Sequence, residues 1–281
     1  MKIIVKHDSE LLEYLYEVLD MPKKRIKQYL THGAIYVGEE RVTQYNYPVV
    51  AGAKIIIDTN SKHTSKLPFE VLFEDQHLIV VNKPAGLLTI ATDKEKERTL
   101  YHIVRDYVLA SNPHGRIFIV HRLDKDTSGI VLFAKDEKTK NQLQENWNEY
   151  VSLREYTAVV SAHPKDQEGQ IVQYLKETKT HLVYVSPRED GKKAITNYSV
   201  IKSNKDYSLL KITIETGRKN QIRVAMASKK MPILGDKKYG DKHKVNRLYL
   251  HANRLKIYYP VLKKDILFET SIPTEFKKIM K

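Results

Sequence analysis

The chain has 281 residues, of which 41% are hydrophobic and 29% charged, with a formal net charge of +14 and no cysteine. This is the composition of a folded protein; the missing cysteine excludes disulfides, thiolate zinc sites and a cysteine nucleophile, and the positive charge favours a polyanionic partner such as nucleic acid. The apolar start MKIIV is too short for a signal peptide and no apolar run is long enough to span a membrane, so we expect a cytoplasmic protein that binds no membrane.

The N-terminal part of the chain predicts two helices followed by short strands. Apolar residues recur at helical spacing between Ser9 and Leu19, and Met21-Pro22 opens a second helix that Gly33 can end. Extended segments punctuated by glycine follow at Ala34–Val37, Arg41-Val42 and Lys54–Ile57. These elements indicate a compact module over residues 1–58.

The second helix of this module is strongly basic, with Lys24, Arg25 and Lys27 in its first turns. The arrangement resembles the S4 RNA-binding domain, in which a basic helix and an adjacent loop dock onto folded RNA. That resemblance implies RNA contacts by these three residues, whereas the alternative is a solvated basic helix face. The hairpin reads Tyr36-Val37-Gly38 where the family usually has valine-asparagine-glycine.

A polar stretch without periodicity, residues 59–67, predicts a linker, and a second domain is expected over residues 68–281. Strands and helices are unevenly mixed in it, which indicates an α+β fold rather than regular parallel alternation. Helices are expected around Leu100–Val108 and over Thr139–Tyr150. The predicted strands are Phe69–Phe73, Leu78–Val81, Arg116–Val120, Gly129–Ala134, Glu155–Val160, Ala194–Ile201 and Ser208–Thr216.

The most informative segment is the polar nonapeptide His121–Gly129, HRLDKDTSG, which lies between two apolar runs that read as strands. A polar insert between strands is a loop held by a rigid scaffold, and such loops often carry function. Arg122 and Lys125 flank Asp124 and would favour its ionised form if they are also close in space. An ionised carboxylate in a basic cleft can act as a nucleophile or a base.

Other readings of this chemistry find less support. The segment Asp126-Thr127-Ser128-Gly129 lacks the contiguous Asp-Thr-Gly of aspartic proteases, and His121, Asp124 and Ser128 lie too close in sequence for an ordinary hydrolase triad. The glycines at 235 and 240 are spaced as in a P-loop, but Asp241 stands where the lysine is required. No His-x-x-x-His pair is backed by a glutamate, so no metal site is expected.

As a whole the nonapeptide resembles the signature of the RluA-type pseudouridine synthases. Further motifs of that family follow in its order, and the resemblance covers roughly residues 68 to 260. Ordered motifs agree by chance far less often than a single one. They are Val81–Leu87, Arg154-Glu155-Tyr156, Gly217–Arg223, Gly235-Asp236 with Tyr239-Gly240, and Leu250-His251-Ala252.

The resemblance implies an RNA-modifying enzyme with a mixed, mostly antiparallel sheet that isomerises uridine to pseudouridine without a cofactor. By the same resemblance Asp124 is the essential carboxylate, Tyr156 lies against the uracil and helps remove the C5 proton, and Arg223 pairs with Asp124. Arg122 would enter the RNA beside the displaced base and Leu250 would line the uracil pocket. The remaining RNA or uridine contacts expected in this domain are Ile222 and Lys83.

Two positions depart from the family pattern, which commonly has histidine where this chain has Asn220 and Ala225. Neither is the expected catalytic position. The rival hypothesis is a non-catalytic RNA-binding or ribosome-assembly protein, and a nucleic-acid hydrolase ranks last because no metal cluster or paired carboxylates are evident. We expect a monomer that acts on structured RNA, with ribosomal RNA favoured over transfer RNA.

Overall fold

The computed structural model describes residues 1–31, 33–58, 67–93 and 95–281, and the chain divides into two compact units. Of these, the residues up to 58 belong to the smaller unit together with Tyr107–His114, and the others belong to the larger. The predicted linker, residues 59–67, lies outside the described residues except for Leu67. The predicted domain boundaries therefore stay a prediction.

The smaller unit contains an antiparallel sheet of four short strands and two helices. Its strands pair in the order β1-β6-β3-β4, and β2 pairs with β5. Leu11, Leu15, Ile26 and Leu30 on the helices are fully buried, which explains their helical spacing in the sequence. The elements are β1 (Lys2–Ile4), β2 (Ser9–Glu10), α1 (Leu11–Val18), α2 (Lys23–Thr31), β3 (Ile35–Val37), β4 (Glu40–Val42), β5 (Pro48–Val49) and β6 (Lys54–Ile57).

The larger unit begins with a hairpin, a long helix, of which residues 100–106 belong to this unit and 107–111 to the smaller one, and the strand that follows the nonapeptide. Its first elements are β7 (Val71–Glu74), β8 (Leu78–Lys83), α3 (Leu100–Ser111), β9 (Phe118–Ile119), β10 (Ser128–Ala134), α4 (Glu137–Glu145) and α5 (Trp147–Tyr150). The remaining elements are β11 (Val151–Val160), β12 (Glu168–Glu177), β13 (Val183–Val185), β14 (Lys192–Ser203), β15 (Ser208–Ile214), α6 (Gln221–Ser228), β16 (Leu250–Tyr259), β17 (Lys264–Glu269) and α7 (Thr274–Ile279).

These strands form one sheet of 11 strands with the main order β13-β12-β14-β15-β11-β16-β10-β8-β7. Strand β17 pairs with β16 and β9 with β10. Among the paired strands of the described residues only β10 and β16 run parallel. The predicted α+β class with a mostly antiparallel sheet is confirmed. None of the helices in the described ranges combines the length and the apolarity that a membrane span requires.

Several of the predicted elements have different limits in the structure; the strand expected over Glu155–Val160, for example, starts four residues earlier, at Val151. The helix expected over Thr139–Tyr150 starts two residues earlier, because Asp136 caps it by accepting from the Thr139 amide at 2.8 Å. It also breaks at Asn146 into α4 and α5. The strand expected over Arg116–Val120 is only the two residues of β9.

The pairing of β10 and β11 with β16 brings three motifs of the sequence side by side. Ser128 pairs with His251 and Gly129 with Ala252, while Tyr156 on β11 pairs with the same Ala252 from its other side. Gly129 has φ of +119°, and a Cβ there would lie 2.2 Å from the Ala252 carbonyl oxygen. Only glycine allows the nonapeptide to enter β10 this close to β16.

Candidate active site

The loop that carries Asp124 runs from β9 to β10 and is held by side chain to backbone hydrogen bonds. Thr89 Oγ1 donates to the Leu123 carbonyl oxygen at 2.8 Å and accepts from the Leu123 amide at 3.3 Å. The Thr127 amide donates to the Asp124 carbonyl oxygen at 3.2 Å, which closes a turn. With the Leu123 side chain buried, the Asp124 carboxyl projects from a fixed turn.

Lys83 anchors this loop from beneath. Its ammonium donates to the carbonyl oxygens of Pro84, Leu87 and Lys125 at 3.0, 2.8 and 2.9 Å, and the side chain has no exposed surface. Burial lowers the pKa of Lys83 to about 7, and the Asp126 and Asp124 charges act against that change. The expected RNA contact by Lys83 is therefore wrong for this structure: all three ammonium donors are directed to main-chain oxygens.

Asp124 is half-buried among cations that it does not touch. Burial raises the pKa of its carboxyl, and the charges of Arg223 and Arg122, then Lys83 and Lys238, act against that rise. No ion pair joins Asp124 to a basic side chain in the described part of the chain. The carboxylate thus keeps its oxygens available while neighbouring charges favour ionisation.

Arg223 on α6 is bound to another carboxylate. Its Nε and Nη2 donate to the two oxygens of Asp236 at 2.8 Å each, and Nη1 donates to Asn220 Oδ1 at 3.3 Å. The expected direct pairing of Arg223 with Asp124 is therefore wrong in this structure, because the planar guanidinium is committed to a two-point pair with Asp236. Only its charge acts on Asp124.

In the sequence Asp236 stands out only as part of the Gly235-Asp236 motif. It belongs to the turn after Gly235, whose amide donates to Asp241 Oδ2 at 2.7 Å. Ser161 and His243 bond the same Asp241 carboxylate at 2.9 and 2.7 Å. Asp236 and Asp241 lie close together in the sequence beside Gly235, which could have indicated a polar turn. The sequence does not indicate which side chains each carboxylate binds.

A pocket of about 260 Å³ lies on one side of Asp124. It brings together the predicted Tyr156, Arg122, Arg223, Leu250 and Ile222, although the last two are almost fully buried and present little surface. Burial raises the pKa of Tyr156 to about 12, with Arg154 lowering it and Asp124 raising it further. The Tyr156 side chain is therefore a neutral phenol at physiological pH.

The stacked rings of His121 and Trp147 form another wall of this pocket, with centroids 5.0 Å apart and planes inclined by 30°. The Leu132 amide donates to His121 Nε2 at 3.1 Å, and burial followed by the Arg154 charge lowers the pKa of His121 to about 3. Ser128 Oγ bonds His251 instead, at 2.8 Å. His121, Asp124 and Ser128 therefore do not form a hydrolase triad.

The two departures from the family pattern have definite environments. Asn220 adopts a left-handed conformation with φ of 53°, which asparagine tolerates, and its Nδ2 donates to the Tyr239 hydroxyl at 3.0 Å. Because its Oδ1 accepts from Arg223, Asn220 links Tyr239 to the guanidinium. Ala225 is buried in the apolar core beneath the pocket, where a small side chain packs.

A second cleft of about 600 Å³ opens on the other side of Asp124 and shares Arg122, Asp124, Asn220 and Arg223 with the first pocket. Most of its basic residues belong to no motif that predicts a site from the sequence. Besides Arg223 its lining includes six basic side chains, those of Arg122, Lys125, Lys219, Lys237, Lys238 and Arg247. Such a cleft attracts anions to the immediate surroundings of the carboxylate.

Of the basic residues predicted on α2, Arg25 and Lys27 are exposed. Arg25 Nε donates to the Tyr29 hydroxyl at 3.2 Å. The side chain of Lys24 lies outside the described part of the structure. Solvent can reach the two described cations, as RNA binding by this face requires.

Comparison with known proteins matches a family model described as RNA pseudouridylate synthase to residues 77–228. An uncharacterised RNA pseudouridine synthase of Bacillus subtilis is 31% identical over 98% of this chain and 93% of its own length. Ribosomal large subunit pseudouridine synthase D of Vibrio cholerae is 30% identical over 95% of this chain and 90% of its own. Human RNA pseudouridylate synthase domain containing 4 shares the fold, with a TM-score of 0.63, 24% identity, and coverage of 76% of this chain and 92% of that one.

Proposed function

Because this chain belongs to the RNA pseudouridylate synthase family, we propose that it converts specific uridines of structured RNA to pseudouridine with Asp124 as the essential carboxylate. One observation carries the proposal: Asp124 stands without an ion-pair partner in the wall shared by an aromatic-sided pocket and a basic cleft. The pocket can enclose a displaced nucleoside and the cleft can bind the RNA around it.

The reaction breaks the N1–C1′ bond of uridine, turns the uracil and forms a C5–C1′ bond, so substrate and product are isomers. An isomerisation needs no net oxidant, reductant or group donor. The protein must hold the detached base and keep one carboxylate beside it. Asp124 supplies that carboxylate, and Tyr156 with Leu250 and Ile222 contributes the aromatic and apolar walls.

Tyr156 is proposed to lie against the uracil ring and to assist loss of the C5 proton. An aromatic face stacks on a base at little cost, which supports the first part. Its pKa of about 12 keeps the phenol neutral, so Tyr156 cannot act as a phenolate base. If its hydroxyl accepts the C5 proton, it must give its own proton to another acceptor at the same time. Arg223 would act on Asp124 by its charge and lie at the edge of the base pocket.

Ribosomal RNA is the favoured substrate, with transfer RNA as the alternative. The relative in Vibrio cholerae is named for the large ribosomal subunit, and the two chains align along most of their lengths. The S4-like module is proposed to add RNA affinity through Arg25 and Lys27, both of which are exposed. The cytoplasmic location and the monomeric state expected from the sequence stay predictions.

The test is pseudouridine mapping of total RNA from cells that lack this protein, complemented with the wild-type chain or with Asp124→Asn. We expect particular sites to disappear and only the wild type to restore them, which would also name the substrate. Restoration of every site by the variant, or no lost site at all, would leave the non-catalytic RNA-binding rival as the better description.

A further inference from the structure

We propose that Arg247 binds a phosphodiester of the RNA strand next to the target uridine, and that Ser128 and His251 hold its guanidinium in the required orientation. This inference rests on the proposed function, since the anion is taken to be RNA. Neither Arg247 nor the Ser128–His251 pair has a task in the isomerisation described above.

The first step is the position of Arg247. It precedes β16 and lines the larger cleft beside Asp124. Its Nη2 donates to Ser128 Oγ at 2.5 Å, its Nε to the Leu248 carbonyl oxygen at 3.2 Å, and its guanidinium lies 5.3 Å from the ring centre of Phe276. Within the described residues no acceptor takes the Nη1 hydrogens, so a half-immobilised guanidinium still has donors for an incoming anion.

The second step is the direction of the hydrogen bonds behind it. Because Ser128 Oγ accepts from Arg247, its own hydrogen must go to another atom; His251 Nδ1 lies at 2.8 Å and the Leu250 carbonyl oxygen at 3.5 Å. Burial, with the Arg247 charge adding to it, lowers the pKa of His251 to about 4, so at neutral pH its Nδ1 can accept. Ser128 Oγ therefore links the Arg247 guanidinium to the buried, neutral His251 ring.

The third step is the chemistry of the cleft. Arg122 and Lys237 also line it, both are exposed, and neither has an ion pair to a carboxylate in the described ranges. By contrast Lys219 is paired with Glu177, and Lys238 donates to the His181 carbonyl oxygen at 3.2 Å. A planar guanidinium in a cleft that also presents two cations without ion pairs suits the tetrahedral oxygens of a phosphodiester.

The fourth step places that phosphodiester close to the reacting nucleotide. Arg122 and Asp124 line both the base pocket and the larger cleft, so a strand whose uridine enters the pocket passes the cleft with its neighbouring phosphates. Because Ser128 already holds the guanidinium, the Arg247 side chain loses little conformational entropy when it binds the phosphate.

The test measures RNA binding separately from catalysis. All variants are made in the Asp124→Asn background, and the probe is a fluorescein-labelled RNA stem-loop with an all-uridine loop, titrated at several salt concentrations. Arg247→Ala should weaken binding by roughly tenfold or more, the usual effect of losing a hydrogen bond to a charged group. It should also reduce the slope of log affinity against log salt by about 0.7 to 0.9, the value for one phosphate contact.

Arg254→Ala is the control, since it also removes one arginine charge, from a β16 side chain that is paired with Glu155 and Glu269 and lies outside the lining of both pockets. Equal losses of affinity and slope for Arg247→Ala and Arg254→Ala would overturn the proposal. If Arg247→Ala fails to fold in a thermal melt, Arg247→Lys decides: it should keep the slope and lose several-fold in affinity, and unchanged affinity overturns the proposal.

A double-mutant cycle tests the positioning role of Ser128. Ser128→Ala should weaken binding less than Arg247→Ala and leave the salt slope unchanged, because the charge remains. Combined with Arg247→Ala it should add almost nothing, whereas independent additive losses contradict the positioning role. These measurements need no pseudouridine formation, so failure of the proposed activity and failure of the phosphate site give different results.

Discussion

Arg223 and Asp236 form a two-point ion pair, with both nitrogen–oxygen distances at 2.8 Å and side chains that are 9% and 0% exposed. The pair lies at the edge of the two pockets and keeps the guanidinium in place without neutralising Asp124. Removing one partner of a buried ion pair leaves the other charge buried without compensation. The resulting loss of stability is larger than the net stabilisation that the pair itself contributes.

Asp236→Asn should therefore destabilise the protein by about 3 kcal/mol, because it leaves Arg223 buried with an uncharged partner. Urea unfolding at pH 7 measures the change. Asp265→Asn is the control, since it breaks the exposed Lys256–Asp265 pair, which has side chains 41% and 53% exposed. The control should change the free energy of unfolding by less than about 1 kcal/mol. Equal effects of the two substitutions would show that the buried pair has no special weight.

Asp124→Asn should abolish activity and yet make the folded protein more stable at pH 7. Burial raises the carboxyl pKa above its ordinary 3.8, so the folded state binds the proton more tightly than the unfolded chain does. Stability from this group is complete below pH 3.8 and declines as the pH rises toward the folded pKa. In thermal melts the variant should have a higher melting temperature than the wild type at pH 7 and about the same melting temperature in acid. A higher melting temperature of the wild type at pH 7 would contradict the raised pKa of Asp124.

Tyr156→Phe should lose activity while it keeps RNA affinity, because phenylalanine retains the aromatic face and lacks only the hydroxyl. Since the pKa of Tyr156 is about 12, the wild-type rate should show no rise from deprotonation of this phenol between neutral pH and pH 10. Single-turnover rates and binding of the same RNA separate the two effects. A rate that climbs with pH in the wild type but not in the variant would identify a phenolate as the base.

Lys83→Met should reduce activity without reducing the salt dependence of RNA binding, because Lys83 holds three carbonyl oxygens rather than a phosphate. The wild type should also gain stability relative to the variant as the pH rises from about 7 to 10.5, since the unfolded chain keeps the lysine proton over that range and the folded chain loses it. Melts at these two pH values test the sign. A smaller salt slope in the variant would instead restore Lys83 as an RNA contact.

The nonapeptide and its surroundings could be predicted from the sequence because they depend on local patterns. Apolar runs on both sides of His121–Gly129 indicated a loop between strands, and β10 begins within one residue of its expected start. The predicted Asp124, Tyr156 and Leu250 line one pocket. That these three residues share a pocket was predicted only from the resemblance to the family, because no periodicity relates positions so far apart in the chain.

The sequence could not show which of several chemically equivalent groups a basic side chain binds. Arg223 has three carboxylates within reach of its charge, those of Asp236, Asp124 and Asp126, and only the fold reveals that Asp236 takes its hydrogen bonds. Lys83 looked like a surface cation because its acceptors are main-chain oxygens, which no residue type discloses. Strand β12 was missed because apolar Val172 is exposed and polar Gln173 is partly buried, so the sequence does not alternate regularly.

The position of β16 in the sheet determines when the active site can assemble during folding. It lies between β11 and β10, although it is synthesised after both and after strands β12, β13, β14 and β15 and helix α6. A nascent chain that ends before Leu250 has the Asp124 loop and Tyr156 on two separate sheet fragments with no strand to join them. Closure of the pocket is therefore a long-range, late event in folding, and a growing polypeptide cannot act on RNA until almost all of it has left the ribosome.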